Sequence, residues 1–511
     1  MAQGAAVQRP SSTAQTPVNA TSTTARRWWI LGPRADLLLI VGSPILVIAA
    51  ITLARNIWSG AAISAFVMVW AIGHHLPGMM RAYGDPALFR RFRVRFLIAP
   101  LVLLAACTFA FVTGVRSGVI AIAAIWGWWH YLMQAYGFAR IYDSKVGSFA
   151  APTRWLDQAM CLTWFSAAVV LNDNALYGFV EHFYNAGLAV PSASFLDTLR
   201  SVVGASTAAI TVSFFLNMSL RWRAGEQPSW TKVALMATTF GCFWYSAATV
   251  TNIVVAYAFF ELFHDIQYLT IVWAFNRGRA EKDKSLRGFT PWLFQARVLF
   301  IGLYLLMIFG YGSLKYGSTL VTQDQLQRVL AAVFLTSTLL HYYFDGFIWK
   351  LREKENQHSL SIARGDVTLH RRLFPPRLRH AMLWLLFLVP FGYLAVSQVQ
   401  DGMRRHQLDE QARLELRLAE SQQLADALPQ SFRAHFTLGL AREYLGDIAG
   451  AIVAYQSTLD CCPDYAPASE GLQRAYARQR VASSGLSEPQ QPAPPSPGIS
   501  SPALVNPAEA W

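Results

Sequence analysis

Apolar residues in this chain fall into long runs divided by charged breaks. The runs predict helical spans near 35–54, 61–80, 96–115, 117–139, 156–172, 199–220, 232–247, 252–275, 295–313, 326–349 and 380–399. At about 1.5 Å of rise per residue, a run of roughly 20 residues reaches across a hydrocarbon layer about 30 Å thick. The pattern therefore predicts an all-α fold: a polytopic transmembrane helix bundle of about eleven spans. The break at 247–252 is only a few residues long.

Composition and charge sharpen this expectation. Hydrophobic residues make up 54% of the 511 and charged residues only 14%, against about 25% charged in soluble domains. Seventeen Trp and nineteen Tyr suit two membrane interfaces, where amphipathic rings settle. The net charge of +13 is spread over alternate loops. Loops 81–95, 140–155, 221–232, 277–297 and 350–379 carry 25 Arg and Lys, and the opposite loops carry 3. That asymmetry predicts a cytoplasmic N-terminus and an external C-terminus, as in a bacterial inner membrane. Membrane lipid is then the expected partner of the basic residues, and nucleic acid is not. The cluster Arg90, Arg91, Arg93 and Arg95 reads as a topology anchor. Five Cys (107, 161, 242, 461, 462) show no metal-finger or redox spacing.

Four regions follow. Residues 1–27, rich in Ser, Thr, Ala and Gln, read as a disordered cytoplasmic tail, and residues 28–400 as the bundle. Residues 401–480 read as a helical linker plus a soluble module, and 481–511 as a disordered Pro/Ser-rich tail. In the module, Leu438, Gly439, Gly446, Ala451, Tyr455, Leu459 and Pro463 fall at spacings that resemble a tetratricopeptide repeat, with a period of about 34 residues. His435 and Arg442 stand where that family favours Trp and Tyr. The resemblance covers one repeat with partial flanks over about 430–480. It implies a pair of packed helices that lean on the preceding helix or on a protein partner.

The candidate chemistry lies inside the apolar runs, where ionisable residues are costly and mark function. His74 and His75 occur in WAIGHHLPGMM, His130 in WGWWHYLMQAYGF, Glu261, His264 and Asp265 in FFELFHDIQYL, and His341 and Asp345 in LLHYYFDGFIW. His75, His130, His264 and His341 precede the first cytoplasmic basic residue by 6, 10, 13 and 9 positions. Those intervals correspond to roughly 9–20 Å of depth, so the four histidines share one layer. Glu261 with His264, Glu261 with Asp265, and His341 with Asp345 each share a helix face. Glu-x-x-His is also the spacing by which bundle helices supply carboxylate and imidazole to di-iron centres. The expected metal ligands are His74, His75, His130, Glu261, His264, His341 and Asp345, with Glu261, Asp265 and Asp345 bridging or orienting. Mixed imidazole and carboxylate donors without thiolate suit iron, manganese or zinc. Iron is favoured because the aromatic surroundings imply a lipophilic small-molecule substrate.

The order of the histidine-bearing runs distantly resembles the membrane-embedded Brp/Blh-type β-carotene 15,15′-dioxygenases. That resemblance implies iron held by His74 or His75, His130, His264 and His341, the last followed by Asp345. The first motif here is GHHLPG, Tyr268 stands where a second histidine of the third helix is expected, and the chain has more runs. Four functions compete. An iron oxygenase or oxidative cleavage enzyme leads. A transporter would use the carboxylates as a proton relay, and a scaffold would work through its repeat module. A lipid-linked glycosyltransferase would need an acidic residue in the first external loop, and 55–60 has none. Haem or quinone ligation is a further use of the imidazoles. Elsewhere, Glu181 and His182 read as solvated, His358, His370 and His380 as facing water or lipid phosphate, and Asp36 and Asp157 as helix N-caps.

Overall fold

Gly42 sits at the first sharp bend of the chain. Helix α1 (Pro33–Val41), whose second half is π-helical, meets α2 (Ser43–Ala54) there at 58°. A Cβ on Gly42 would lie 2.4 Å from the Leu37 carbonyl oxygen, so only glycine accommodates the turn. The computed structural model describes residues 28–250, 253–282, 289–295, 297–349 and 375–484. The expected tail 1–27, most of the expected tail 481–511, and His358 and His370 lie outside the described residues.

The described residues are helical, with no strand among them. After α2 come α3 (Gly60–Gly73), α4 (His75–Gly84), α5 (Pro86–Thr113), α6 (Arg116–Lys145) and α7 (Ala151–Val170). Next are α8 (Asp173–Asn185), α9 (Ala193–Arg223), α10 (Trp230–Thr249), α11 (Ile253–Lys282) and the short α12 (Phe289–Leu293). The bundle closes with α13 (Val298–Thr319), α14 (Asp324–Ile348) and α15 (Pro376–Gln407). Local signals set several boundaries. Asp85 accepts hydrogen bonds from the Ala87 and Leu88 amides and Pro86 opens α5, while Gly114, at φ +83°, ends it.

Five helices among the described residues are long and apolar enough to cross a membrane: Gly60–Gly84, Pro86–Thr113, Ala193–Arg223, Val298–Thr319 and His380–Gln407. The bent pair α1–α2 makes a sixth if it counts as one broken span. The predicted runs at 117–139, 156–172, 232–247, 252–275 and 326–349 fall on α6, α7, α10, α11 and α14.

Two packing features position the interior. Helix α3 crosses α13 where glycine faces glycine: a Cβ on Gly73 would meet the Ile308 carbonyl at 2.6 Å, and one on Gly312 would meet the Val69 carbonyl at 1.7 Å. Helix α14 packs along α5 through Phe96, Phe344 and Phe347, with ring centroids 5.1–6.1 Å apart. Near the ends of α6, α7 and α10, Arg140 and Lys232 each bridge Asp143 and Asp157 at 2.6–2.9 Å. Asp157 thus forms a buried ion quartet in place of the expected N-cap. Asp36 accepts from the amides of Ile30, Leu31 and Gly32, which precede its helix.

The C-terminal region folds as α16 (Glu410–Ala427), α17 (Phe432–Tyr444), α18 (Ile448–Cys461) and α19 (Ala466–Ser484). Gly439 lies under the Tyr455 ring, so α17 and α18 approach closely. This unit leans on α16 and also on α8 and α9, where Leu176, Tyr177 and Leu196 share a core with Leu424, Leu428 and Leu438. That contact corrects the expectation that Glu181 and His182 are solvated. Glu181 is mostly buried, 3.9 Å from Arg433, and burial raises its carboxyl above the usual range. His380 also departs from expectation, forming a 2.5 Å hydrogen bond with the Tyr343 hydroxyl.

Candidate metal centre

Each site side chain is placed by a local feature of its helix. Helix α3 ends at Gly73 and α4 begins at His75, and this break turns two adjacent imidazoles into the interior. His74 and His75 are each 2% exposed. His130 comes from the middle of α6, and Glu261, His264 and Asp265 come from one face of α11. His341 and Asp345 are one turn apart on α14. All five histidines and the two α11 carboxylates are buried.

The rings converge on His341. Its Nε2 lies 3.1 Å from Nε2 of His74 and 3.1 Å from Nε2 of His130. The His264 ring centroid is 5.0 Å from that of His130 and 5.5 Å from that of His74. His75 stacks on His341 at 4.8 Å and turns Nδ1 to the Ser337 hydroxyl, 3.0 Å away. Ser337 in turn meets the Tyr311 hydroxyl at 2.9 Å.

Carboxylates surround this node. Asp265 Oδ1 stands 2.9 Å from His74 Nδ1, yet neither atom has a partner in hydrogen-bonding geometry. The atoms touch, but no N–H points along the contact. Glu261 accepts a hydrogen bond from the Tyr131 hydroxyl. Asp345 accepts from Tyr268 at 3.1 Å and from the Trp349 indole at 3.0 Å, and its other oxygen lies 3.8 Å from His341 Nε2. Gln134 and Gln267 fix α11: Gln134 donates to the His264 carbonyl at 2.9 Å, and Gln267 donates to the Ile40 carbonyl at 2.8 Å.

The hydrogen-bonding capacity of these rings is compatible with a site that could hold a cation. A neutral imidazole nitrogen carries either one hydrogen or one lone pair. Nε2 of His341 therefore cannot satisfy two well-aligned partners at once. Nitrogens bound to one ion at about 2.1 Å, at octahedral or tetrahedral angles, stand about 3.0–3.4 Å apart, and 3.1 Å falls in that interval. Buried polar atoms without partners cost roughly 1–3 kcal/mol each. His264 Nε2, His341 Nδ1 and Asp265 Oδ2 are in that state. Three sets of residues bring ligand atoms within 4.8 Å of one another: His74, His264 and His341; His130, His341 and Asp345; and His74, Glu261 and Asp265. The donor chemistry and the orphaned atoms fit a metal ion.

The structure brings together all of the sequence-derived candidates, with His75 in none of the three sets. Sequence reasoning passed over Tyr131, Ser337 and Trp349. Helical spacing offered a signal for two of them, since Ser337 precedes His341 by four positions and Trp349 follows Asp345 by four. Beside His264 runs a narrow cavity walled by Phe165, Phe243, Phe260, Phe263 and Tyr131, with Thr239 and Gln134 as its polar edge. No protein-family model, curated protein or solved structure matches the chain.

Proposed function

We propose that this chain is an integral membrane protein that houses a non-haem iron centre and oxidises or oxidatively cleaves a lipophilic substrate. The observation that carries the reading is the pair of 3.1 Å Nε2 contacts from His341 to His74 and His130 in a buried, aromatic interior. In this reading His74, His130, His264 and His341 hold the metal, and Glu261, Asp265 and Asp345 bridge or orient it. Bound iron would supply redox chemistry toward dioxygen. The chain's own residues do the rest. Tyr268 and Trp349 hold Asp345 in place, Ser337 fixes the ring of His75, and the phenylalanines beside His264 give the site an apolar wall.

Membrane residence is supported by large apolar side chains that face outward on the long helices. Val298 is 85% exposed, Leu386 71% and Val212 67%, on α13, α15 and α9. Such surface is expensive in water and neutral in lipid. The alternation of basic loops supports an inward N-terminus and an external C-terminus, and a bacterial inner membrane is the location proposed with them. The α16–α19 unit, read as a tetratricopeptide-like module, would meet a protein partner outside the membrane.

Elemental analysis of the detergent-solubilised full chain, beside His130→Ala and His341→Ala variants, tests the reading. Bound iron in the parent and a lower iron content in both variants is the expected result. Absence of metal from the parent after anaerobic incubation with ferrous iron sinks the proposal. A haem absorbance band would replace the enzyme with a redox carrier.

A further inference from the structure

We infer that the centre holds two cations: one at the imidazole node of His74, His130 and His341, and a second between Glu261, Asp265 and Nδ1 of His74. The inference rests on the metal-centre reading above and extends it by a separate site with a separate donor set.

His74 presents its two ring nitrogens to different partners. Its Nε2 faces Nε2 of His341 at 3.1 Å, and its Nδ1 faces Asp265 Oδ1 at 2.9 Å. The lone-pair directions of the two nitrogens diverge across the ring, so one ion cannot occupy both positions. The carboxylate side is a distinct set, and its ligand atoms lie within 4.8 Å of one another. Glu261 and Asp265 are one helical turn apart on α11, 2% and 0% exposed. Two carboxylates this close in an apolar interior are relieved either by protonation or by a positive charge between them, and the proposed ion supplies the latter.

A carboxylate that only oriented His74 would accept the Nδ1 hydrogen in good geometry. Asp265 does not: its Oδ1 stands 2.9 Å from His74 Nδ1 outside hydrogen-bonding geometry, and its Oδ2 has no hydrogen-bonding partner. Glu261 is anchored by Tyr131, as a metal-bound carboxylate commonly is by an outer neighbour. Two carboxylates and an imidazole nitrogen suit a divalent first-row cation such as Fe²⁺ or Mn²⁺. On taking this second ion His74 serves both sites through its two nitrogens, and its ring proton leaves to solvent.

The test uses the full chain in detergent, stripped with chelator and titrated anaerobically with ferrous iron. Excess is removed by gel filtration and the bound metal is counted. The parent is expected to retain about two ions, and Glu261→Gln and His341→Ala about one each. Asp265→Asn serves as a second carboxylate variant, and monodisperse elution with unchanged helical circular dichroism establishes folding. One ion in the parent and the same one in Glu261→Gln overturns the second site and leaves the metal-centre reading intact. Two ions retained in Glu261→Gln and in Asp265→Asn also overturn it. No ion in the parent overturns both readings.

Discussion

Nε2 of His341 and Nε2 of His74 meet at 3.1 Å although the two residues are 267 positions apart in the chain. The contact joins the last turns of α14 to the break between α3 and α4, and His130 makes an equal contact from α6. These rings differ from His75, which stacks on the node without belonging to a ligand set. His341→Ala should abolish iron retention at the node. His75→Ala should weaken it by about 10- to 100-fold, the effect typical of a residue that supports ligands. Competition against a chromophoric chelator measures both. Equal and complete loss in the two variants would make His75 a ligand.

The α3–α13 crossing predicts a steric effect that reaches the centre. A Cβ on Gly312 would press to 1.7 Å from the Val69 carbonyl, and Gly73, next to His74, makes the reciprocal approach. Gly312→Ala must separate the helices, at a cost of about 1–3 kcal/mol or more, and moves His74 away from His341. Gly302→Ala, on the same helix with nothing within 4 Å, is the matched control. The first should lower the melting temperature and the metal content together, and the second should alter neither. A normal metal content in Gly312→Ala would detach the crossing from the site.

Much of the centre was legible in sequence because ionisable residues stand out in apolar runs. The i, i+3 and i, i+4 pairs on α11 and α14 follow from helix geometry alone, and the intervals from His75, His130, His264 and His341 to the next basic residue led to the expectation that they share a layer. What stayed hidden depends on tertiary contact. That Nδ1 of His74 faces Asp265 while Nε2 faces His341 is set by ring rotation at a helix break. Asp157 shows the same limit. Its place near a helix start suggests a cap, whereas its partners Arg140 and Lys232 come from two other helices. Glu181 and His182 look like a polar loop in sequence, whereas Glu181 is mostly buried beside Arg433 of the C-terminal unit.

The Asp157 quartet carries its own prediction. Lys232 is 3% exposed and reaches both Asp143 and Asp157. Lys232→Met removes one of two cations and strands buried carboxylate charge, an arrangement that costs about 3–5 kcal/mol. The double variant with Asp157→Asn should recover most of the loss, because one anion leaves with the cation. The exposed pair Arg277–Glu281 is the comparison, and Arg277→Ala should cost no more than about 1 kcal/mol. Chemical denaturation in detergent reads all three. A mild Lys232→Met would mean that water or a pKa change already compensates the quartet.

The clamp between the bundle and the C-terminal unit yields the last expectation. Arg405, at the end of α15, donates to both oxygens of Glu420 on α16 at 2.9 and 3.0 Å, and the Tyr184 hydroxyl of α8 donates to Glu420 at 2.5 Å. Burial first, then the adjacent Glu420 carboxylate, pushes the Tyr184 phenol up to about 12 from an ordinary 10. A raised folded value means that the contribution of Tyr184 is full below about pH 10 and is lost as pH climbs through about 12. Docking should therefore be level across neutral pH and loosen only in strong alkali. Tyr184→Phe should remove that alkaline step. Arg405→Ala or Glu420→Gln should cost about 1.5–3 kcal/mol, the range for hydrogen bonds to charged groups. In the double variant the losses should not add. Faster proteolysis at Leu408–Asp409, between α15 and α16, reports the loosened clamp. An unchanged cleavage rate in Arg405→Ala would show that the apolar contact of Leu176, Tyr177 and Leu196 holds the unit without it.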